Sequence, residues 1–277
     1  MTSITETSII ENQRLGSGPL RAGWLIMQRD LMHWVRQPAA PIIGIAFIVM
    51  LVLMFGFLLG GAIEIPGAAR GEYLAFLLPG MFALTMLFGI DDTRTAMALD
   101  ATRGVTDRFR SMPISGAAVV LGRAGADVAY AAVSLAVLMA GGLLLGWRIE
   151  SSLWPALLAV ALLLWLRFAM IWVGVFLGIA LRNASAAMAV QILIWPIGFL
   201  SNAFVSTETM PAWLGAISQW NPLSATAAAV RELFGNPTGI TDGILSTHAV
   251  LLAVLIPLVI TLVFLPLSAR AYRRLER

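Results

Sequence analysis

Several charged side chains sit inside long apolar runs. Asp91, Asp92 and Arg94 belong to Gly89-Ile90-Asp91-Asp92-Thr93-Arg94-Thr95, and Arg167 is flanked by Trp165 and Phe168. Charge at membrane depth is expensive and is read as functional by default. Two kinds of chemistry are open to such a set. Carboxylates at depth can relay protons, and a patch of mixed charge can bind a polar part of a passing molecule. The same residues can instead form an interhelical ion pair that only fixes packing. Asp91 and Arg94 are three apart on one helical face, so they can neutralise each other. Asp92 or Asp91 can reach Arg167 if the two runs face each other.

A second set lies between apolar runs, in Arg103-Gly104-Val105-Thr106-Asp107-Arg108-Phe109-Arg110-Ser111-Met112-Pro113. Asp107, Arg108 and Arg110 offer charge-assisted contacts, and Phe109 offers a packing knob for a partner's groove. Pro113 stops a helix so that the next apolar run can begin. A plainer reading makes these arginines anchors on the inner membrane face. Arg103 fits the anchor, while Arg108 and Phe109 fit docking. Arg123 and Asp127, four apart, are expected to pair within one helix at the inner membrane edge.

Other chemistry is excluded by residue types that are missing. Cysteine is absent, which removes disulfides, thiolate nucleophiles and cysteine metal sites. The two histidines, His33 and His248, are far apart in sequence and make a histidine-based metal or triad site implausible. All 18 basic residues are arginine. Without lysine there is no Walker A loop and no Schiff base, so the chain is not by itself a P-loop ATPase. No Gly-x-Ser-x-Gly elbow occurs, and nothing points to a nucleic-acid partner.

The elements that must carry these residues are apolar. Hydrophobic residues make up 59% of the chain and charged residues 12%, with mean hydropathy +0.87; soluble domains carry about 25% charge. Runs of about 18 or more apolar residues are candidate transmembrane helices. Six are read, over 40–62, 73–99, 117–146, 153–181, 185–206 and 246–268. The expected fold is therefore an all-α membrane protein, with a six-span domain over 38–277. Arg14, Arg21, Arg29, Arg36, Arg103, Arg108, Arg110, Arg123, Arg182, Arg270, Arg273, Arg274 and Arg277 fall on one side, against Arg70, Arg148 and Arg231 on the other. That imbalance places both termini in the cytoplasm of a multi-pass plasma-membrane protein.

Residues 1–18 are polar and expected to be disordered. Over 19–37, Leu20, Trp24, Met27, Leu31 and Trp34 recur at spacings of four, three, four and three, with Arg21, Gln28, Arg29 and Arg36 elsewhere. That pattern predicts an amphipathic helix in the cytoplasmic interface, or one packed on the protein itself. No signal peptide is expected, because the first apolar run begins near residue 40. The loop over 207–245 is long for an idle connection. Met210, Pro211, Trp213, Asn221 and Pro222 are read there as an outer gate. It is built from two short re-entrant helices opened by the prolines after caps such as Thr209 and Asn221. Gly56/Gly60, Gly142/Gly146 and Gly174/Gly178 would permit close helix approach.

Three stretches carry a resemblance: Leu78-Pro79-Gly80-Met81-Phe82, RGVTDRFRSMPISGAAVVLGRAGAD from Arg103 to Asp127, and FLSNAFVSTETMPAWLGAISQWNPLSA from Phe199 to Ala225. From about residue 20 onward the chain resembles permeases of the ABC type-2 export family, in the daunorubicin-resistance branch. The resemblance implies a half-transporter. A second permease subunit, identical or related, would complete it, and separate ATPase subunits holding ATP and magnesium would drive it. It places the ATPase contacts at 20–37 and 100–116, here Arg29, Gly104, Asp107, Arg108, Phe109, Arg110 and Pro113. The family's second span is usually small and apolar where this chain has Asp91, Asp92 and Arg94. The substrate implied is an amphipathic drug, a natural product or a lipid-linked molecule entering from the membrane. The alternative is a proton-coupled secondary transporter using Asp91, Asp92 and Arg167, against which stands the lack of an internal repeat.

Overall fold

The computed structural model describes residues 27, 28, 32, 36, 39–60, 63, 65, 72–102, 116–181 and 183–275. Every regular element among them is helical. Helix α1 covers Ala39–Leu53 and runs into a π-helical turn, Met54–Leu59. Then follow α2 (Tyr73–Leu87), α3 (Gly89–Thr102), α4 (Gly116–Leu144), α5 (Leu153–Ala180) and α6 (Ala184–Phe199). Two short helices, α7 (Ala212–Gln219) and α8 (Pro222–Phe234), precede the long α9 (Ile244–Leu275).

Length and apolarity decide which of these can cross a bilayer. Four segments qualify: Tyr73–Leu99, Gly122–Leu144, Leu153–Ala180 and Ile244–Ala271. Ile42–Leu58 and Ser185–Phe199 are apolar but shorter. The run expected over 185–206 stops as a helix at Phe199, because Ser201 and Asn202 leave it to meet α8. The Asn202 N–H donates to Ser224 Oγ at 3.0 Å. The run expected over 73–99 is two helices, α2 and α3, joined by a turn at Phe88. Phe88 N–H still reaches Leu84 O and Asp92 N–H still reaches Phe88 O, both at 3.2 Å, so the ladder bends without being lost.

Helix α5 is the hub, packing on α2, α3, α4, α8 and α9. Two side-chain bonds tie it to α9: Trp165 Nε1 donates to Val254 O at 3.1 Å, and Ser268 Oγ to Trp172 O at 3.0 Å. Small residues let α3 lie against it. A Cβ on Gly174 would fall 2.7 Å from Ile90 O, and one on Gly178 would fall 2.9 Å from Met97 Cβ. The Gly174/Gly178 pair thus serves a contact within the chain. Helix α2 is buried along most of its length, from Tyr73 through Phe76, Met81 and Phe82 to Leu87. Trp147 closes the core behind it, edge-on to Phe82 and Phe234, with Nε1 donating to Asn236 Oδ1 at 2.8 Å.

The segment expected to be amphipathic is described at Met27, Gln28, Met32 and Arg36. Met27 Sδ would lie 3.4 Å from a Cβ on Gly125, so this face meets α4. Residues 1–26 lie outside the described residues.

Gly174→Ala should lower the melting midpoint of the detergent-solubilised chain, with overpacking costing about 1–3 kcal/mol. Gly141→Ala, where no atom lies within 4 Å of an added Cβ, should leave the midpoint unchanged or slightly raised.

Candidate functional site

Arg167 projects from the middle of α5 and is only 2% exposed. Its Nη2 donates to Asp127 on α4 in a short charge-assisted bond, and to Asp92 Oδ2 on α3 at 3.2 Å. Asp127 also accepts from Thr93 Oγ1 at 2.6 Å. One guanidinium therefore joins three helices, and two carboxylates share its charge. The guanidinium crosses α3 at Gly89, where an added Cβ would fall 2.7 Å from Arg167 Cδ, Nε and Cζ. Asp91 and Arg94 form their own pair on α3, with Nη2 at 2.6 Å and Nε at 3.0 Å from Asp91 Oδ1. Arg167 lies about 20 Å along α5 from its end at Ala180, while Asp127 and Asp92 lie about 8 and 10 Å inside the ends of the apolar spans Gly122–Leu144 and Tyr73–Leu99. The buried guanidinium is compensated by ion pairing with both.

Spacing along α4 predicts Arg123 as the partner of Asp127. The carboxylate also takes groups from two other helices, Thr93 and Arg167. Spacing along one helix sees only the i, i+4 neighbour, whereas the stronger demand comes from a buried arginine 40 residues away. Exposure within the network is uneven: Asp127 is 11% exposed at its side chain and Asp92 is 54% exposed.

The segment between α6 and α9 holds a second buried cation. Arg231 on α8 is 0% exposed, although the sequence places it among outer aqueous arginines. No carboxylate among the described residues pairs with it. Its Nε donates to Phe76 O at 2.7 Å, and its Nη2 to Asn202 O at 2.9 Å and Ala203 O at 3.2 Å. Its carbon Cζ stands 3.5 Å from the Phe76 ring centroid, so carbonyl dipoles and a π face replace a counter-ion. Gly80 makes room for this: a Cβ there would fall 2.8 Å from both Ala203 Cα and Arg231 Nη2. Tyr73 adds a bond from its hydroxyl to Phe204 O at 3.0 Å.

Asn221 caps α8 by accepting from Leu223 N–H at 2.9 Å, and Pro222 opens the helix. The Asn221 amide also donates to Ile197 O at 2.7 Å and Leu200 O at 3.0 Å, which clamps α8 to the end of α6. Thr209 caps nothing. It ends the 3-10 turn Thr207–Thr209 that Ser206 caps, and Pro211 itself stands at the N-cap of α7 after Met210. The Thr209 hydroxyl donates to Ser206 O at 2.8 Å, and Ser206 Oγ accepts from the Glu208 N–H at 3.2 Å, so both serve this turn. Trp213 is exposed on α7, on one face with Ile217 and Trp220.

The sequence pattern of the ABC-2 type transporter family matches residues 21–234, which takes in the ion network and both short outer helices. The chain belongs to the ABC-2 type transporter family. It is 33% identical, over 248 residues, to the daunorubicin resistance ABC transporter permease protein DrrB1 of Streptomyces coeruleorubidus, covering 88% of this chain and 83% of that protein. It is 24% identical, over 216 residues, to the putative transport permease ycf38 of Cyanophora paradoxa, covering 77% and 74%.

Within this ABC-2 chain the polar patch expected from sequence comes together as one network plus the Asp91–Arg94 pair. The residues expected to meet an ATPase do not come into view: Arg29, Gly104, Asp107, Arg108, Phe109, Arg110 and Pro113 all lie outside the described residues. Thr93, Asp127 and Gly89 were missed as parts of the network, and Arg231 and Asn202 as parts of the core beneath α8. A usable signal existed for Arg231, since Ala225-Thr226-Ala227-Ala228-Ala229-Val230-Arg231 puts one cation in a small, apolar helical stretch.

Arg167→Met should cost about 3–5 kcal/mol by leaving Asp127 buried without a cation. Arg167→Met combined with Asp127→Leu should recover most of that loss; chemical denaturation of the reconstituted chain reads both. In the outer loop, Glu208 Oε1 accepts from the Thr241 N–H, from Thr241 Oγ1 at 2.8 Å and from the Asp242 N–H at 3.0 Å. The Thr241 backbone bond is the main cause holding its carboxyl below the ordinary value of 4.5. Its contribution is thus complete above that value and is lost as pH falls through the lower folded one. Amide exchange at 241–242, corrected for intrinsic rate, should speed up over that acid range, and Glu208→Gln should show the fast rate already at neutral pH.

Proposed function

We propose that this chain is the membrane-spanning permease subunit of an ATP-driven exporter of amphipathic drugs, natural products or lipid-linked molecules. ATP hydrolysis is supplied by a separate subunit that holds ATP and magnesium, and a second permease subunit completes the path. The reading is carried by family membership together with 33% identity, over most of the chain, to a permease named for daunorubicin resistance. The absence of any lysine supports it, since a chain without a Walker lysine depends on a partner for hydrolysis.

In this account the six apolar helices span the plasma membrane with both termini in the cytoplasm, as the arginine imbalance favours. Residues 20–37 and 100–116 receive the ATPase's motion, with Arg29, Gly104, Asp107, Arg108, Phe109, Arg110 and Pro113 at the contact. Helix α3 leads directly into the second of these segments, so a push there is felt first at the Arg167 network on α3, α4 and α5. The short helices α7 and α8 close the outer end, and substrate enters laterally from the lipid.

The test is flux in inverted membrane vesicles containing the chain and its ATPase. ATP should drive uptake of an amphipathic fluorescent dye, and a non-hydrolysable ATP analogue should not. Arg108→Glu combined with Phe109→Ala should abolish ATP-driven uptake while membrane insertion and the melting midpoint stay unchanged. Undiminished ATP-driven uptake in that variant would refute the coupling assignment, and uptake driven by a proton gradient without ATP would replace the reading with the proton-coupled one.

A further inference from the structure

Arg94, Arg167 and Arg231 are the buried arginines among the described residues, and their charges are met unequally. Arg94 has Asp91, and Arg167 has Asp127 and Asp92. Arg231 is the most buried of them and has no carboxylate among the described residues. The carbonyls of Phe76, Asn202 and Ala203 hold its Nε and Nη2, and the Phe76 ring covers its flat face. Those dipoles solvate the charge without cancelling it, and a guanidinium stays charged when buried. The Nη1 corner is left over: it is buried and has no hydrogen-bond partner in the protein.

Asn202 stands beside it in the same state. The residue is 0% exposed. Its backbone is engaged, with the N–H on Ser224 Oγ at 3.0 Å and the carbonyl on Arg231 Nη2 at 2.9 Å. Its side-chain amide has no partner at either Nδ2 or Oδ1. Nη1 shares the carbon Cζ with Nη2, which holds the Asn202 carbonyl, so the unmet atoms belong to one cluster beneath α8. Buried polar atoms left over by the protein are met by ordered water or by an ion. Water serves donors and acceptors alike but brings no charge. Here two amino groups stand against one amide oxygen, beside a positive charge that nothing cancels, and charge-assisted bonds to an anion are the stronger solution. Both residues are closed to solvent, which shuts out bulky carboxylates.

We infer that Arg231 Nη1 and the Asn202 amide hold a small monovalent anion of the chloride class, as the counter-charge of Arg231. The ion completes the staple that joins α8 to α2 through Phe76 and to the turn after α6 through Asn202 and Ala203. Its role is assembly and stability, so it stands apart from the export reading.

Melting of the full chain in nanodiscs tests the site, after dialysis at constant ionic strength against sodium chloride, bromide or gluconate. Gluconate is too large for a closed cluster. Chloride and bromide should raise the midpoint by about 3 °C or more over gluconate, along a saturating curve, as mass action on a folded-state site requires. Asn202→Asp puts a carboxylate beside Arg231 in place of the ion. That variant should melt in gluconate at or above the wild-type midpoint in chloride, and its response to chloride should vanish. A wild-type midpoint equal in all three salts, or one that climbs with chloride without saturating, would overturn the site and leave water in the cluster. An Asn202→Asp chain that folds and keeps the wild-type chloride response would overturn it too. Should that variant fail to fold, anomalous scattering from wild-type crystals grown in bromide decides: a peak beside Arg231 Nη1 and Asn202 supports the site, and no peak there refutes it.

Discussion

A guanidinium carried into the middle of an apolar helix must bring its counter-charge with it, because neither water nor lipid can supply one there. Arg167 meets that constraint with Asp127 and Asp92, and the requirement spreads outward. Asp127 must stand on α4 at the right depth, and Thr93 must turn its hydroxyl to the same carboxylate. Gly89 must be bare so that the guanidinium can cross α3. Gly174 and Gly178 must be bare so that α3 can lie close enough to α5. A buried pair of this kind adds little net stability over an apolar replacement, but breaking one side of it is costly. Its effect is to set the relative register of three helices.

Helix α8 meets the same problem differently. Arg231 has carbonyl oxygens and the Phe76 ring in place of a carboxylate. Those carbonyls belong to α2 and to the turn after α6, so the arginine staples α8 to both. Asn221 does the same from the other end of α8. The Arg167 network joins spans through charge, and the Arg231 cluster joins short helices to spans through backbone acceptors.

Much of the fold could be read from periodicity and composition, since apolar run length is a local property. The Asn221 cap on α8, and the Asp91–Arg94 pair, are local too, within three residues of each other along the chain. What escaped depends on topology. Asp127 finds Arg167 only once α4 and α5 are packed, and Arg231 proves buried only once α8 is folded against α2. Thr209 is not a cap because α7 begins only after Pro211, and the Thr209 hydroxyl turns back to donate to Ser206 O. The apolar run over 185–206 extends past its helix because its last residues are needed by α8. The docking reading of the arginine-rich segment 103–113 falls outside the described residues.

The most direct measurement is purification of the tagged chain from its native membrane in mild detergent, followed by identification of co-eluting subunits and an ATPase assay. The account predicts a stoichiometric ATPase partner and ATP hydrolysis that survives purification. A chain that elutes without a partner and without hydrolysis, under conditions that preserve known membrane complexes, would contradict it.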